Sequence, residues 1–208
     1  MSKNRISQKR AAPLKKVVLI CAAAVVTVGV AAGAGLYFAS GDKRTSPYPE
    51  VELNGHFAIV DDEAGDIFEN GEYLELDRNL YVKEGGLEYS VSDGGEEEND
   101  AGVYFFLGYF DAVAKGECER YNSMFSDAYY EKFLPQEEFT QQMVYDMHIE
   151  KLSETDDGGR LTLVYYVDYK IHKNNGTFRR DILHDASRRL CFTLSGTADS
   201  LKIDLIEY

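Results

Sequence analysis

The residues in this chain that could do chemistry are few and scattered. General acid–base work needs a titratable group within reach of its target and a second group that tunes or orients it. The candidates of the right type are Asp111, Asp168, His148 and Tyr166, with His172 on the same predicted strand as Asp168. Four residues of extended chain separate Asp168 from His172 by roughly 13 Å, so they share a strand face but do not hydrogen-bond. Histidines occur at 56, 148, 172 and 184. They form no H-E-x-x-H and no close Cys-His cluster, and neither G-x-G-x-x-G nor G-x-S-x-G is present. Zinc, dinucleotide and serine-hydrolase chemistry have no motif here. The sequence therefore assigns no catalytic, metal-binding or cofactor-binding residue and calls for no cofactor.

Three further features carry weaker chemical signals. Cys118 and Cys191 fall in a predicted helix and a predicted strand, where they either pair as a disulfide or stand as two buried thiols; no C-x-x-C points to redox catalysis. Residues 92–100, SDGGEEEND, supply hard oxygen ligands but lack the spacing of a calcium-binding helix-loop-helix module, and read as a solvated acidic linker. Asn175-Gly176-Thr177 is formally a glycosylation acceptor, while Asn-Gly is in its own right a hairpin turn.

The elements that would position these residues are clearest in the second half. Asp100 is suited to cap a helix over 101–115, on which Val103, Phe106, Leu107, Phe110, Val113 and Ala114 mark one broad face. Gly116 breaks it, 117–127 resumes it, Tyr129 to Phe133 adds a short piece ended by Pro135, and 137–145 adds one or two turns. The period then changes to two. Over 160–172, Leu161, Leu163, Tyr165, Val167, Tyr169 and Ile171 alternate with Thr162, Val164, Tyr166, Asp168, Lys170 and His172. Strands over 147–153, 178–183, 187–195 and 201–208 complete the set, with Asp157-Gly158-Gly159 and Asn175-Gly176 as reversals. Upstream, 51–93 holds short strand-like runs at 56–60, 72–76, 80–82 and 87–91, an accessory β segment that must lean on a larger body.

The amino-terminal end has a different composition. The chain of 208 residues carries 22 Lys and Arg against 36 Asp and Glu, for a formal charge of -14, yet its first 40 residues include no acid and six of the basic residues. An acidic body excludes nucleic acid as a partner, because phosphate backbones demand concentrated Lys and Arg. Residues 17–39 are uncharged. At ~1.5 Å per residue a helix of that length reaches about 35 Å, enough for a hydrocarbon core of about 30 Å. The basic leader 1–16 predicts a cytoplasmic amino terminus and an acidic body outside the cell membrane. A cleaved signal peptide, with Ala32-Gly33-Ala34 as its site, is the rival reading. Gly29 and Gly33 form a G-x-x-x-G through which two spans would associate. Residues 40–50, with Pro47 and Pro49 around Tyr48, read as a stalk.

From Tyr104 to Asp127 the run YFFLGYFDAVAKGECERYNSMFSD resembles the long first helix, Gly-centred break and second helix of the nuclear transport factor 2-like superfamily, and the resemblance extends over about 101–208. It implies a cone-like α+β domain of two or three helices on a curved antiparallel sheet. It also implies, for a membrane-anchored bacterial member, an interaction or assembly role in an envelope system. The expected organisation is leader 1–16, transmembrane helix 17–39, linker 40–50, accessory segment 51–93, acidic linker 94–100 and cone-like domain 101–208. The expected function is a single-pass, membrane-tethered module that binds membrane or envelope proteins, with Tyr104, Tyr109, Tyr129, Tyr130 and Tyr166 as candidate anchors. An enzyme or small-ligand carrier using the cone cavity and a structural homo-oligomer are the alternatives.

Overall fold

A computed structural model of the protein describes residues 44–48, 57–58, 65–91 and 100–208, all within the compact unit Asp42–Tyr208. In chain order a short 3-10 turn, Ile67–Glu69, leads into α1 (Gly71–Leu74), β1 (Leu80–Glu84) and β2 (Leu87–Val91). Helices α2 (Ala101–Lys115), α3 (Cys118–Ser123) and α4 (Asp127–Tyr130) follow, then β3 (Met143–Asp157), β4 (Arg160–His172), β5 (Leu190–Thr197) and β6 (Ser200–Glu207). The strands form one open sheet in the order β2-β1-β3-β4-β5-β6. Every pairing is antiparallel except β1 with β3. The fold is mixed α+β, with four short helices among the described residues.

Local chemistry explains the principal elements. Asp100 accepts the Val103 N–H at 2.9 Å and caps α2, and Gly116 closes it in the left-handed region at φ 69°. Gly116 is required twice over, because a Cβ there would also stand 2.9 Å from the Gln141 backbone nitrogen. The apolar face of α2 lies on the sheet, where Phe106 meets Tyr165 and Phe192 edge to face at 5.1 and 5.5 Å. On β4 the alternating set Leu163, Tyr165, Val167, Tyr169 and Ile171 is buried, and Tyr166 on the other face is 36% exposed. Gly158 and Gly159, at φ 65° and 90°, make the two-residue turn that joins β3 to β4 in register.

Several expectations are corrected. The sheet is open, with β2 and β6 as edges, and does not close into a cone. The β1–β2 hairpin, within the segment expected to lean on a larger body, joins the main sheet directly through the pairing of β1 with β3. The strand expected over 72–76 is absent: Gly71–Leu74 form α1, because the Asn70 side chain accepts the N–H groups of Glu72 and Tyr73 and starts a helical turn. Residues 137–142 are extended and β3 begins at Met143. The predicted strand 178–183 lies instead in the ordered loop between β4 and β5: Phe178, Arg179, Asp181 and Ile182 are all buried, which defeats alternation. The Asn174 side chain organises this loop, donating to the Arg179 and Ile182 carbonyls and accepting the Gly176 N–H.

The membrane description is also withdrawn. Among the described residues no helix is long and apolar enough to cross a membrane. The longest, α2, would reach only about 22 Å at ~1.5 Å per residue. The predicted span 17–39, with Gly29 and Gly33, lies outside the described residues. The reading as a single-pass, membrane-tethered extracytoplasmic module of the bacterial envelope, with a cytoplasmic amino terminus, is thus left without structural support and is not carried further.

Acid sensitivity follows from how the helical layer is tied to the sheet. Burial pushes the Asp100 carboxyl up, but the Lys151 ammonium at 2.6 Å, the Val103 N–H and the Tyr165 hydroxyl outweigh it and hold the group below its usual value. At Asp146 the Lys170 ammonium has the largest influence and the net direction is again down. Carboxylates depressed in the folded state contribute stability that is fully present above their unfolded value, about 3.9, and lost as pH falls through the folded one. The melting temperature should therefore hold from pH 7 to 5 and drop below about pH 4. An Asp100→Asn variant should melt lower at pH 7 and show a shallower acid limb; an acid limb identical to that of the parent would remove Asp100 from the account.

Candidate functional site

Two concave regions lie on opposite sides of the sheet. The first is a pocket of about 460 Å³ between α1, β1, β3 and α2. Leu80, Leu107, Phe110, Ala114, Val144 and Met147 give it an apolar floor, and Phe68, Tyr73 and Leu76 form one wall. That wall is anchored where the Tyr73 hydroxyl donates to the Val144 carbonyl at 3.0 Å and the Asp146 N–H to the Asp77 carbonyl at 2.9 Å. Asp77, Arg78, Asn79 and Asp111 form the polar rim.

The rim groups differ in how they are already engaged. Asp77 accepts from the Tyr81 hydroxyl at 2.6 Å and from Asn79, which holds its carboxyl low. Burial pushes the Asp111 carboxyl up, but Lys115 and Arg120 override this and hold it low. Arg78 lies over the Tyr73 ring at 5.3 Å, and among the described residues no carboxylate pairs with it. An apolar recess thus opens past one cation whose charge is unspent.

The second region is a groove of about 490 Å³ on the uncovered face of the sheet. It gathers three of the four sequence candidates: His148 and Asp168 are cross-strand partners on β3 and β4, and Tyr166 lines the same groove. The fourth, Asp111, is on the helical side. A β-bulge between Tyr145 and His148 places Asp146 at φ 51° and turns its carboxylate toward His148 Nε2 at 3.1 Å and Lys170 Nζ at 2.8 Å. His148 Nδ1 faces Glu88 at 3.2 Å, and its ring stacks on Tyr81 at 5.0 Å. Asp168 is held by Arg189 at 2.6 Å and Glu150 by Lys83 at 2.9 Å. Arg189 also lies over Tyr166 at 5.3 Å. The groove is a net of satisfied surface ion pairs, each contributing little, with no free base aimed at a shared point. His172 is separate, between Asp185 at 2.9 Å and Glu72 at 3.5 Å.

The remaining candidates disperse. Tyr109 and Tyr129 are core residues at 0% and 2% exposure, Tyr130 donates its hydroxyl to the Asn122 carbonyl, and only Tyr104 and Tyr166 present substantial ring surface. Cys118 and Cys191 are free thiols: Cys118 contacts the Gln136 and Glu137 carbonyls on the helical side, and Cys191 pairs with Tyr166 on the uncovered face. Asn175 and Thr177 are tied to each other and to Thr140 and Gln142. Among the described residues no group of three or more His, Cys, Asp or Glu is placed to hold a metal ion.

A polar centre inside the core was not foreseen. Arg179, fully buried, donates from Nε and Nη2 to Asp181 at 2.5 and 2.6 Å and from Nη1 to the Tyr169 hydroxyl at 2.9 Å. Its guanidinium lies between the Tyr48 ring at 4.6 Å and the Tyr169 ring at 5.5 Å. The Tyr48 and Tyr121 hydroxyls meet at 3.1 Å. Burial pushes Tyr109 and Tyr121 well above the usual phenol range. The one available signal was Arg179 itself, two residues from Asp181 in a segment read as a strand.

No family model matches the chain, and no curated protein or solved structure is similar to it. The resemblance to the nuclear transport factor 2-like superfamily is accordingly withdrawn, and the function has to be argued from the two concave surfaces and the core.

Proposed function

We propose that the domain is a small-molecule binding module whose site is the pocket between α1, β1, β3 and α2, and whose ligand is an amphipathic anion. The observation that carries this reading is Arg78, with which no carboxylate pairs among the described residues, lining an apolar recess of about 460 Å³. That volume lies in the range of small-ligand sites, which pair apolar walls with a few polar groups that fix orientation. The ligand's apolar body would lie on Leu80, Phe110, Val144 and Met147, and its anionic group would meet the guanidinium. Arg suits this task because its planar donors fit a carboxylate or phosphate in a two-bond fork. The reading is one of binding without turnover, because the acids that line the pocket, Asp77 and Asp111, are engaged by Tyr81, Asn79, Lys115 and Arg120.

Calorimetric titration of the full chain with decanoate and with decanol tests it. Both should bind, the carboxylate more tightly. Replacing Arg78 with Ala should weaken decanoate about tenfold, the size of one partly exposed charge-assisted contact, and leave decanol unchanged. Leu107→Trp, which fills the recess from its apolar floor, should weaken both. If neither ligand binds the parent protein, or if Arg78→Ala leaves decanoate untouched, the pocket is not this site.

A further inference from the structure

Tyr48 reaches the core from outside it. Residues 44–48 run as a strap beside the 132–134 segment: the Thr45 N–H donates to the Lys132 carbonyl at 3.3 Å and the Leu134 N–H to the Thr45 carbonyl at 3.0 Å, a parallel bridge between Thr45 and Phe133. Arg44 Nη1 adds a contact to the Tyr130 carbonyl at 3.5 Å. From this strap the Tyr48 side chain passes inward and is 7% exposed. None of the walls around it belongs to the strap. Tyr121 on α3 meets its hydroxyl at 3.1 Å, the Arg179 guanidinium covers the ring face at 4.6 Å, and Phe178 presents an edge at 6.3 Å.

The walls keep their form without help from Tyr48. Arg179 is fixed by Asp181 and Tyr169, and Asn174 fixes the loop that carries it. The Tyr109 hydroxyl, wholly buried, interacts electrostatically with the hydroxyls of Tyr48 and Tyr121 and makes no hydrogen bond of full geometry among the described residues, so phenol hydroxyls gather at the far end of the slot. A slot with a cation over the ring face, aromatic walls, and hydroxyls gathered at the far end matches a phenol in each part.

We propose that the Tyr48 slot is a recognition site for a para-substituted phenol, filled in cis by the strap and open to a phenol in trans when the strap withdraws. The phenol is either a tyrosine side chain on an extended segment or a free small molecule; the slot reads the ring and the hydroxyl, which both share. This site is separate from the Arg78 pocket and stands or falls without it.

The test uses the full chain carrying Tyr48→Ala, titrated calorimetrically with p-cresol, toluene and a hexapeptide of residues 44–49. One equivalent of p-cresol should bind and raise the melting temperature, and toluene should bind at least about tenfold more weakly, since it leaves the Tyr121 hydroxyl, which meets that of Tyr48 at 3.1 Å, unanswered. A hexapeptide tighter than p-cresol identifies an extended segment as the occupant; p-cresol binding alone identifies a small phenol. Toluene binding as well as p-cresol, or no saturable binding by p-cresol or the hexapeptide, overturns the proposal. In the parent protein, saturating p-cresol should speed hydrogen exchange at the Leu134 amide, which bonds to the strap, and leave the Val167 amide unchanged. That second measurement does not depend on the variant folding, and an unaltered Leu134 rate counts against the site equally.

Discussion

Replacing Arg179 with Met is expected to lower the folding free energy by about 3–5 kcal/mol, because it leaves the fully buried Asp181 carboxylate without the two hydrogen bonds that offset its desolvation. A loss of that size is a large fraction of the ~5–15 kcal/mol that holds a domain folded. The pair itself is worth much less than the penalty for breaking it, since burying both charges was costly from the start. The double variant Arg179→Met, Asp181→Leu should therefore recover most of the loss, and a denaturant cycle on the two singles and the double should give a strongly non-additive result. Arg188, whose Nη1 is 3.8 Å from Asp181 and whose side chain is partly exposed, is the one other cation among the described residues in position to respond. A single-variant cost under about 1 kcal/mol would mean that Arg188 swings in to replace the lost partner, and Arg179→Met combined with Arg188→Ala would then show the full penalty.

The same centre shows what the sequence could and could not disclose. The β4 alternation and the Asp100-to-Gly116 bounds of α2 were legible because they depend on local rules: period two, a carboxylate cap and a left-handed glycine. The open sheet was not, because an edge hairpin pairs with β3 across more than fifty residues of intervening chain, and no local pattern encodes that partner. The loop after β4 was misread for a related reason. Phe178 to Leu183 carries strand-like residues, but its backbone is governed by Asn174 and its side chains by a charge pair in the core. Asp168 and His148 were legible as reactive types, yet their adjacency is a cross-strand register, and the side chains that engage them, Arg189, Glu88 and Asp146, are drawn from different elements. The Arg78 pocket has no signature at all in sequence; it arises where a single-turn helix stands off from a longer one.

Gly102→Ala should be strongly damaging, although alanine is the better helix former by about 1 kcal/mol. Gly102 is the second residue of α2 and is buried against the Tyr165 ring; a Cβ built there would fall 2.7 Å from Tyr165 Cζ and closer still to its hydroxyl. Tyr165 is itself 0% exposed and donates its hydroxyl to Asp100, the residue that caps α2 and pairs with Lys151 of β3. The ring cannot rotate away without losing that bond, and the helix cannot lift without giving up its cap. Overpacking of this kind costs about 1–3 kcal/mol. The added weakening of the Asp100 contacts argues for the upper end. Tyr165→Phe removes the atom nearest the new methyl at the expense of one hydrogen bond, so the double variant should be less damaged than the sum of the singles, with part of the penalty remaining because the ring carbons still crowd the site. Denaturant midpoints of the three variants decide this. Additive losses would place the cost of Gly102→Ala in the helix backbone instead of in its contact with Tyr165, and would break the physical link drawn here between the start of α2, its cap and the centre of β4.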